Sequence, residues 1–453
     1  MVSYIVTGGT GFLGRRVVQG LLDRDPAAIV HVLVRTEPPT AFDDPTTGLR
    51  GGERVFALLG DPRADRLGLH GPPPRADHVI HLGTVSEMTG DDPAAHAADI
   101  AATRSVIELA RETGAVLHHI SSVAVAGDHR GRYFEEDFDL GQNLPSPYHR
   151  TIFATEKLVR DSSGVRWRIY RPGIVIGDSR TGEIAGIHGP YYFFAVIAAL
   201  AGLPAELPIP LPDLGATNMV PVDYVADAVV ELACRAGLDG RTFHLVDPRP
   251  QPFDKIYSAL AAAAGAPTGI GVVPGSRAAL GRLAHLPGVP AVRDFLLRKF
   301  GIPAAVVAHT RFATEFVSDS TQALLRGAGI AVPAFDSYAA TLWQYWCEHL
   351  DPNRGHPVTE PAAAAVVGTA VSAFAQTVDR FVPSAEPTIT RRGVQFLDGF
   401  ERARTISAVP DGDAMSAGGG GGALRVLAPI LLSLTTLPSP AAHMARVLPG
   451  LRW

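Results

Sequence analysis

Cysteine is nearly absent: two residues, Cys234 and Cys347, stand far apart in a chain of 453. That excludes a disulfide framework and a cysteine-based metal site, and it fits a reducing compartment. No excess of positive charge exists either. The formal net charge is -5, and without a basic stripe there is no electrostatic footprint for nucleic acid. A membrane-spanning run is missing. The apolar stretch Ala423 to Leu437 contains Arg425 and Pro429 and falls short of the roughly 20 residues that cross a bilayer. It leaves room for peripheral lipid contact at most, or for a late helix docked on protein. The N-terminus enters an apolar strand with no basic segment or small-residue cleavage site, so a cytoplasmic chain is expected. No His/Cys/Asp/Glu cluster has metal-ligand spacing, and no Gly-x-Ser-x-Gly nucleophile elbow occurs.

What is present is core material for two or three structural units, with 46% hydrophobic and 19% charged residues. Short β-branched runs alternate with helical patterns. Strands are expected at Val2–Thr7, Ile29–Val34, Arg54–Leu59, Asp77–Leu82, Ala115–Ser121 and Val165–Tyr170. Helices are expected at Phe12–Asp23, Pro93–Thr113 and Pro147–Asp161. This alternation predicts an α/β fold, a Rossmann-type doubly wound parallel sheet. Further helices are read at Tyr191–Gly202, Val222–Arg235 and Phe253–Gly265, with another strand at Arg241–Val246. The expected organisation is a dinucleotide-binding domain over 1–250, with a substrate-side insertion at about 178–220. A mainly helical substrate cap follows over 251–352, then a C-terminal extension over 353–453. In the extension Ala362–Val378 has helical character, whereas Gly418–Gly422 is five consecutive glycines and reads as a flexible linker.

The strongest motif is Thr7-Gly8-Gly9-Thr10-Gly11-Phe12-Leu13-Gly14, between the first strand and the first helix. Gly8, Gly11 and Gly14 allow a tight turn, close approach of backbone to a pyrophosphate, and close packing of helix on strand. The helix N-terminus after Gly11 offers free N–H groups and a positive dipole end to phosphates. Thr10, Phe12 and Leu13 complete this cofactor turn. At the end of the second strand stands Arg35, where an acidic residue would suit the ribose 2′-OH of NAD. A guanidinium fork pairs with a 2′-phosphate instead, so NADP(H) is the expected cofactor. Arg15 is a second, weaker candidate for that phosphate.

The chain resembles the extended short-chain dehydrogenases/reductases. The resemblance is carried in order and spacing by Gly60-Asp61, His78-Val79-Ile80-His81-Leu82-Gly83, Ser121 to Gly127, Pro147-Tyr148 and Tyr170 to Ser179. It is closer to the fatty acyl-CoA reductase and thioester reductase branch, through Thr181 to Ile184, Gly189 to Phe194, Thr217 to Ala228 and Tyr338 to Pro352. It covers about residues 1 to 352. It implies that Asp61 lies near the adenine, and that Gly83, Pro172, Gly173 and Val175 surround the nicotinamide. It implies that Ser122 polarises the substrate carbonyl and Tyr148 donates a proton to it, with Ser121 as the fallback serine. An acyl-CoA or an acyl carrier protein would deliver the substrate.

Three positions depart from the pattern. The family lysine four residues after the tyrosine is Ile152 here, and Lys157 is two and a half helical turns away. Asp99 and Ala102 stand where relatives carry asparagine and glycine. His118-His119 reads as structural and His188 as a weak candidate for the substrate mouth. The Trp343, Tyr345 and Trp346 group reads as core. Three functions compete: a reductase of an acyl thioester or derived aldehyde or ketone, a redox-neutral enzyme for dehydration, isomerisation or cyclisation, and a nucleotide-binding pseudoenzyme.

Overall fold

A computed structural model describes residues 1–35, 52–62, 64–82, 92–186, 191–201, 209–211, 216–272 and 314–351. Seven strands form the main sheet: β1 (Ser3–Thr7), β2 (Ile29–Arg35), β3 (Val55–Gly60), β4 (His78–His81), β5 (Val116–Ile120), β6 (Trp167–Pro172) and β7 (Arg241–Leu245). Their order is β7-β6-β5-β4-β1-β2-β3, and every neighbouring pair is parallel. The chain starts in mid-sheet, winds outward to β3, then returns past β1 to β4. That reversal opens a crevice at the carboxyl ends of β1 and β4, where doubly wound sheets bind ligands. The seventh strand, read from sequence only as a further strand, extends this sheet beyond β6.

Side chains alternate across β1 as a doubly covered sheet requires. Tyr4 and Val6 join a core with Val17, Leu21, Val225 and Val229, contributed by α1 (Phe12–Arg24) and α5 (Val222–Cys234). Ile5 points to the other face, into a core with Val106, Leu109 and Val159. Those residues belong to α2 (Pro93–Thr113) and α3 (Pro147–Arg160).

Local sequence sets the ends of these helices. Asp92 caps α2 by accepting from the Ala94 N–H at 2.9 Å, Pro93 fits the first turn, and Gly114 closes it with φ 71°. Ser146 caps α3 in the same way, with Pro147 at its first position.

The described residues fall into two compact units. The first holds the sheet, α1, α2, α3, α5, and two late helices, α7 (Asp319–Arg326) and α8 (Ala339–His349). The second contains α4 (Tyr192–Leu200), nearly all of α6 (Phe253–Ala264) and a parallel strand pair, Ile209–Leu211 with Gly269–Val272. Trp346, on α8, is 1% exposed and stacks on Trp343 at 5.2 Å between ring centroids. The readings on Gly83, His188 and the segment 353–453 lie outside the described residues.

Candidate active site

The glycine turn forms at the carboxyl end of β1. Gly8 has φ 71°, in the left-handed region that side chains disfavour. Its carbonyl accepts from the Gly11 N–H at 3.0 Å. A Cβ on Gly14 would lie 2.0 Å from the Gly8 oxygen, and one on Gly9 would lie 2.8 Å from Val32. Only glycine therefore lets α1 sit this close to the strand. Gly11 caps α1 with no side-chain hydrogen bond, so its first N–H groups face outward unclaimed by side chains. This cradle fits a dinucleotide pyrophosphate. Thr10 and Gly11 are exposed, Phe12 and Leu13 half-buried. The Arg16 guanidinium lies 4.3 Å above the Phe12 ring and pairs with Asp178 at 2.9 Å and Glu183 at 2.6 Å. Arg15 also reaches Glu183, at 3.2 Å.

The other expected cofactor positions line the same end of the sheet. Arg35 is the last residue of β2, in register with Gly60. The Asp61 N–H donates to the Leu67 carbonyl at 2.8 Å. Pro172 ends β6. A Cβ on Gly173 would meet the Asn218 carbonyl at 2.8 Å, so the chain passes close there too. Val175 pairs with Val220.

Ser122 follows β5 and caps a short 3-10 helix, Val123–Ala126, accepting from the Ala124 N–H at 3.2 Å. Tyr148 is in the first turn of α3. The two side chains lie close enough to act on each other. Burial pushes the Tyr148 phenol up, the Ser122 side chain opposes this, and the Asp99 carboxylate pushes it up further. Asp99, on α2, is 2% exposed. The structure thus joins Ser122, Tyr148 and Asp99 in one place.

Ile152 is 3% exposed and belongs to an apolar cluster with Val123, Val125 and Ala126, against which Tyr148 packs. No cation is supplied at that position. Lys157 is exposed and pairs with Asp161 at 2.9 Å. The Ser121 hydroxyl donates to Glu156 at 2.6 Å, and Ser122 is the serine that acts on Tyr148.

Sequence reasoning gave no role to the buried ion pair that holds Ser121. Glu156 and Arg171 are both fully buried and meet at 2.6 Å, and Arg160 joins Glu156 at 2.8 Å. Arg171 and Arg160 hold the Glu156 carboxyl down at about 2 against the burial that would raise it. The available signal was spacing: Glu156 is two i,i+4 steps from Tyr148, through Ile152. The expected structural histidines are buried in the sheet. His118 bonds His78 at 2.9 Å and the Tyr170 hydroxyl at 2.8 Å. His119 stacks on His81 at 5.6 Å. Among the described residues no group of three His, Cys, Asp or Glu is placed to hold a metal, and no helix is long and apolar enough to cross a membrane.

The NAD-binding family model described as male sterility protein matches residues 6–229. A glycine betaine reductase of Emericella nidulans is 28% identical over 55% of this chain and 21% of its own length. An aldehyde reductase of Aspergillus flavus is 27% identical over 54% of this chain and 25% of its own. The chain therefore spans only about a fifth to a quarter of these curated relatives. Among solved structures, the terminal R domain of the myxalamid biosynthetic pathway aligns with TM-score 0.63 at 24% identity, covering 77% of this chain and 91% of that one. A thiolation-reductase di-domain of an archaeal non-ribosomal peptide synthetase aligns with TM-score 0.56 at 18% identity, over 77% of this chain and 75% of that one. A glycine turn shaped for a dinucleotide, a Ser–Tyr pair at the carboxyl end of the sheet, and these likenesses agree: residues 6–229 belong to the NAD-binding family described as male sterility protein, within the extended short-chain dehydrogenase/reductase superfamily.

Proposed function

We propose that the protein is an NADP(H)-dependent reductase of an acyl thioester, carried on coenzyme A or a carrier protein, or of the aldehyde or ketone derived from it. The observation that carries this reading is that Ser122, after β5, and Tyr148, in the first turn of α3, act on each other at the sheet end that also bears the glycine turn. Gly8, Gly11 and Gly14 would hold the pyrophosphate, Arg35 the 2′-phosphate, and Pro172, Gly173 and Val175 the nicotinamide side. When bound, the cofactor supplies a hydride to the carbonyl carbon. Ser122 orients and polarises the carbonyl oxygen. Tyr148, kept protonated by burial and by the Asp99 carboxylate, delivers the proton that this oxygen takes up. A proton donor does not need the lysine that a tyrosinate would need. The relatives' printed names, glycine betaine reductase and aldehyde reductase, support carbonyl reduction as the reaction class.

A second reading, redox-neutral conversion of a bound intermediate, is favoured by one observation: Ile152 puts hydrocarbon where a ribose-binding ammonium is the family pattern. The two readings separate when NADPH and NADH consumption are followed with acyl-CoAs, carrier-bound thioesters and aldehydes. Consumption of NADPH coupled to loss of thioester or aldehyde supports the first. Substrate conversion with the cofactor unspent overturns it.

A further inference from the structure

We infer that Glu156 is a positioning residue that, through Ser121, holds Ser122 in register with Tyr148. This rests on the reductase reading above. Three chain segments converge on one carboxylate. Ser121, the covalent neighbour of Ser122, donates to Oε2 at 2.6 Å. Arg171, just before Pro172-Gly173, donates from Nη2 to Oε1 at 2.6 Å and from Nε to both oxygens at 3.2 and 3.1 Å. Arg160, one turn along the same helix, donates to Oε1 at 2.8 Å. Glu156 itself rides on α3, the helix that carries Tyr148. The carboxylate is therefore a buried group that ties the serine loop, the tyrosine helix and the β6 edge of the nicotinamide site together.

Stability alone is a poor reason for this arrangement. Burying charges costs desolvation, and apolar side chains of equal volume often stabilise as well or better. What an apolar trio cannot do is fix direction. Charge-assisted bonds from a two-pronged guanidinium and a hydroxyl set the carboxylate plane, and with it the angle of the Ser121–Ser122 peptide. Arg171 is braced in turn: Nη2 donates to the Asp137 carbonyl at 2.8 Å and Nη1 meets His244 Nε2 at 3.2 Å. A reacting hydroxyl displaced by about 1 Å costs up to a hundredfold in rate, so a rigid anchor one residue away has a kinetic purpose.

The test is Ser121→Ala in the full-length protein, which removes one hydrogen bond and leaves both arginines on Glu156. The expected result is a kcat about tenfold lower, with the Kd for NADPH unchanged. In a Ser122→Ala background the same substitution changes kcat less than about twofold, because its effect runs through Ser122. Hydrogen exchange gives a reading independent of turnover: the amides of Val123–Ala126 exchange about tenfold faster in Ser121→Ala while β1 and β2 are unaltered. An unchanged kcat, an undiminished loss in the Ser122→Ala background, or unaltered exchange at 123–126 overturns the inference. If the native protein reduces no carbonyl, the function reading falls, and the exchange result alone decides the positioning role.

Discussion

Tyr148 and Ile152 stand one helical turn apart on α3 and share one apolar cluster with Val123, Val125 and Ala126 of the helix behind Ser122. The phenol is thus set against hydrocarbon and a carboxylate, not against an ammonium. Ile152→Lys would place a charge in that cluster. Folding stability is expected to fall by roughly 3 kcal/mol, as for an uncompensated buried charge, seen as a lower urea midpoint. In the folded fraction the new cation lowers the Tyr148 pKa, so an alkaline decline in reduction appears that the native protein lacks. An unchanged midpoint would mean that Ile152 is not packed as described.

The native pH profile follows from the same surroundings. A tyrosine that gives a proton is competent below its pKa, and burial and Asp99 both raise that of Tyr148. Reduction is therefore expected to stay flat on the alkaline side up to about pH 10, the ordinary tyrosine range. Asp99→Asn removes one raising influence and brings the decline to lower pH. A native rate that halves between pH 7 and 9 would contradict this.

Removing either hydroxyl should slow chemistry more than binding. Tyr148→Phe is expected to lower kcat by about 10²–10⁴, the usual weight of general acid catalysis, and Ser122→Ala by a smaller factor. The Kd for NADPH, measured by fluorescence titration, should change little in both. Loss of NADPH binding in step with activity would show a structural effect instead.

Gly14→Ala tests the cofactor turn. The added methyl falls 2.0 Å from the Gly8 carbonyl oxygen, a backbone atom that cannot rotate away. Separating α1 from β1 should cost about 1–3 kcal/mol and weaken NADPH binding. A variant with native Tm and native NADPH affinity would refute the packing of this turn.

Acid should unfold the protein early. His81 and His244 are held down to about 3 and His119 to about 4, burial being the first cause for each. Below pH 6.5 the unfolded chain takes up protons that these folded rings refuse, so stability falls with pH. Each ring contributes up to about 1.4 kcal/mol per pH unit while only the unfolded form is charged. Glu156, held at about 2 from an ordinary 4.5, adds a further loss from pH 4.5 downward. Urea midpoints should drop steadily from pH 7 to pH 5. A constant midpoint over that range would contradict the burial of these histidines.

The fold was written in periodicity. β1 and α1 carry a glycine spacing that steric contact at Gly14 makes obligatory, and Asp92-Pro93 and Ser146-Pro147 mark helix starts by cap chemistry. Pro93–Thr113 was read with its exact bounds. Strand ends drifted by a residue or two, as at Val165–Tyr170 against Trp167–Pro172, because apolar runs do not say where pairing stops. Ser122 and Tyr148 entered through the family resemblance, from their places before Gly127 and after Pro147, and the structure brings the two side chains near each other. Glu156 was not legible: a charged residue on a helix reads as a solvent face, and only tertiary packing reveals that Arg171, on β6, is buried with it.

Transfer of label from NADPH carrying deuterium at the reactive C4 position, followed by mass spectrometry of the product, tests the central claim most directly. The account predicts one deuterium on the former carbonyl carbon of an acyl thioester or aldehyde with the native protein, and a rate at least about a hundredfold lower with Tyr148→Phe. Product formed without deuterium, with NADPH intact, would contradict it and establish redox-neutral chemistry at this site.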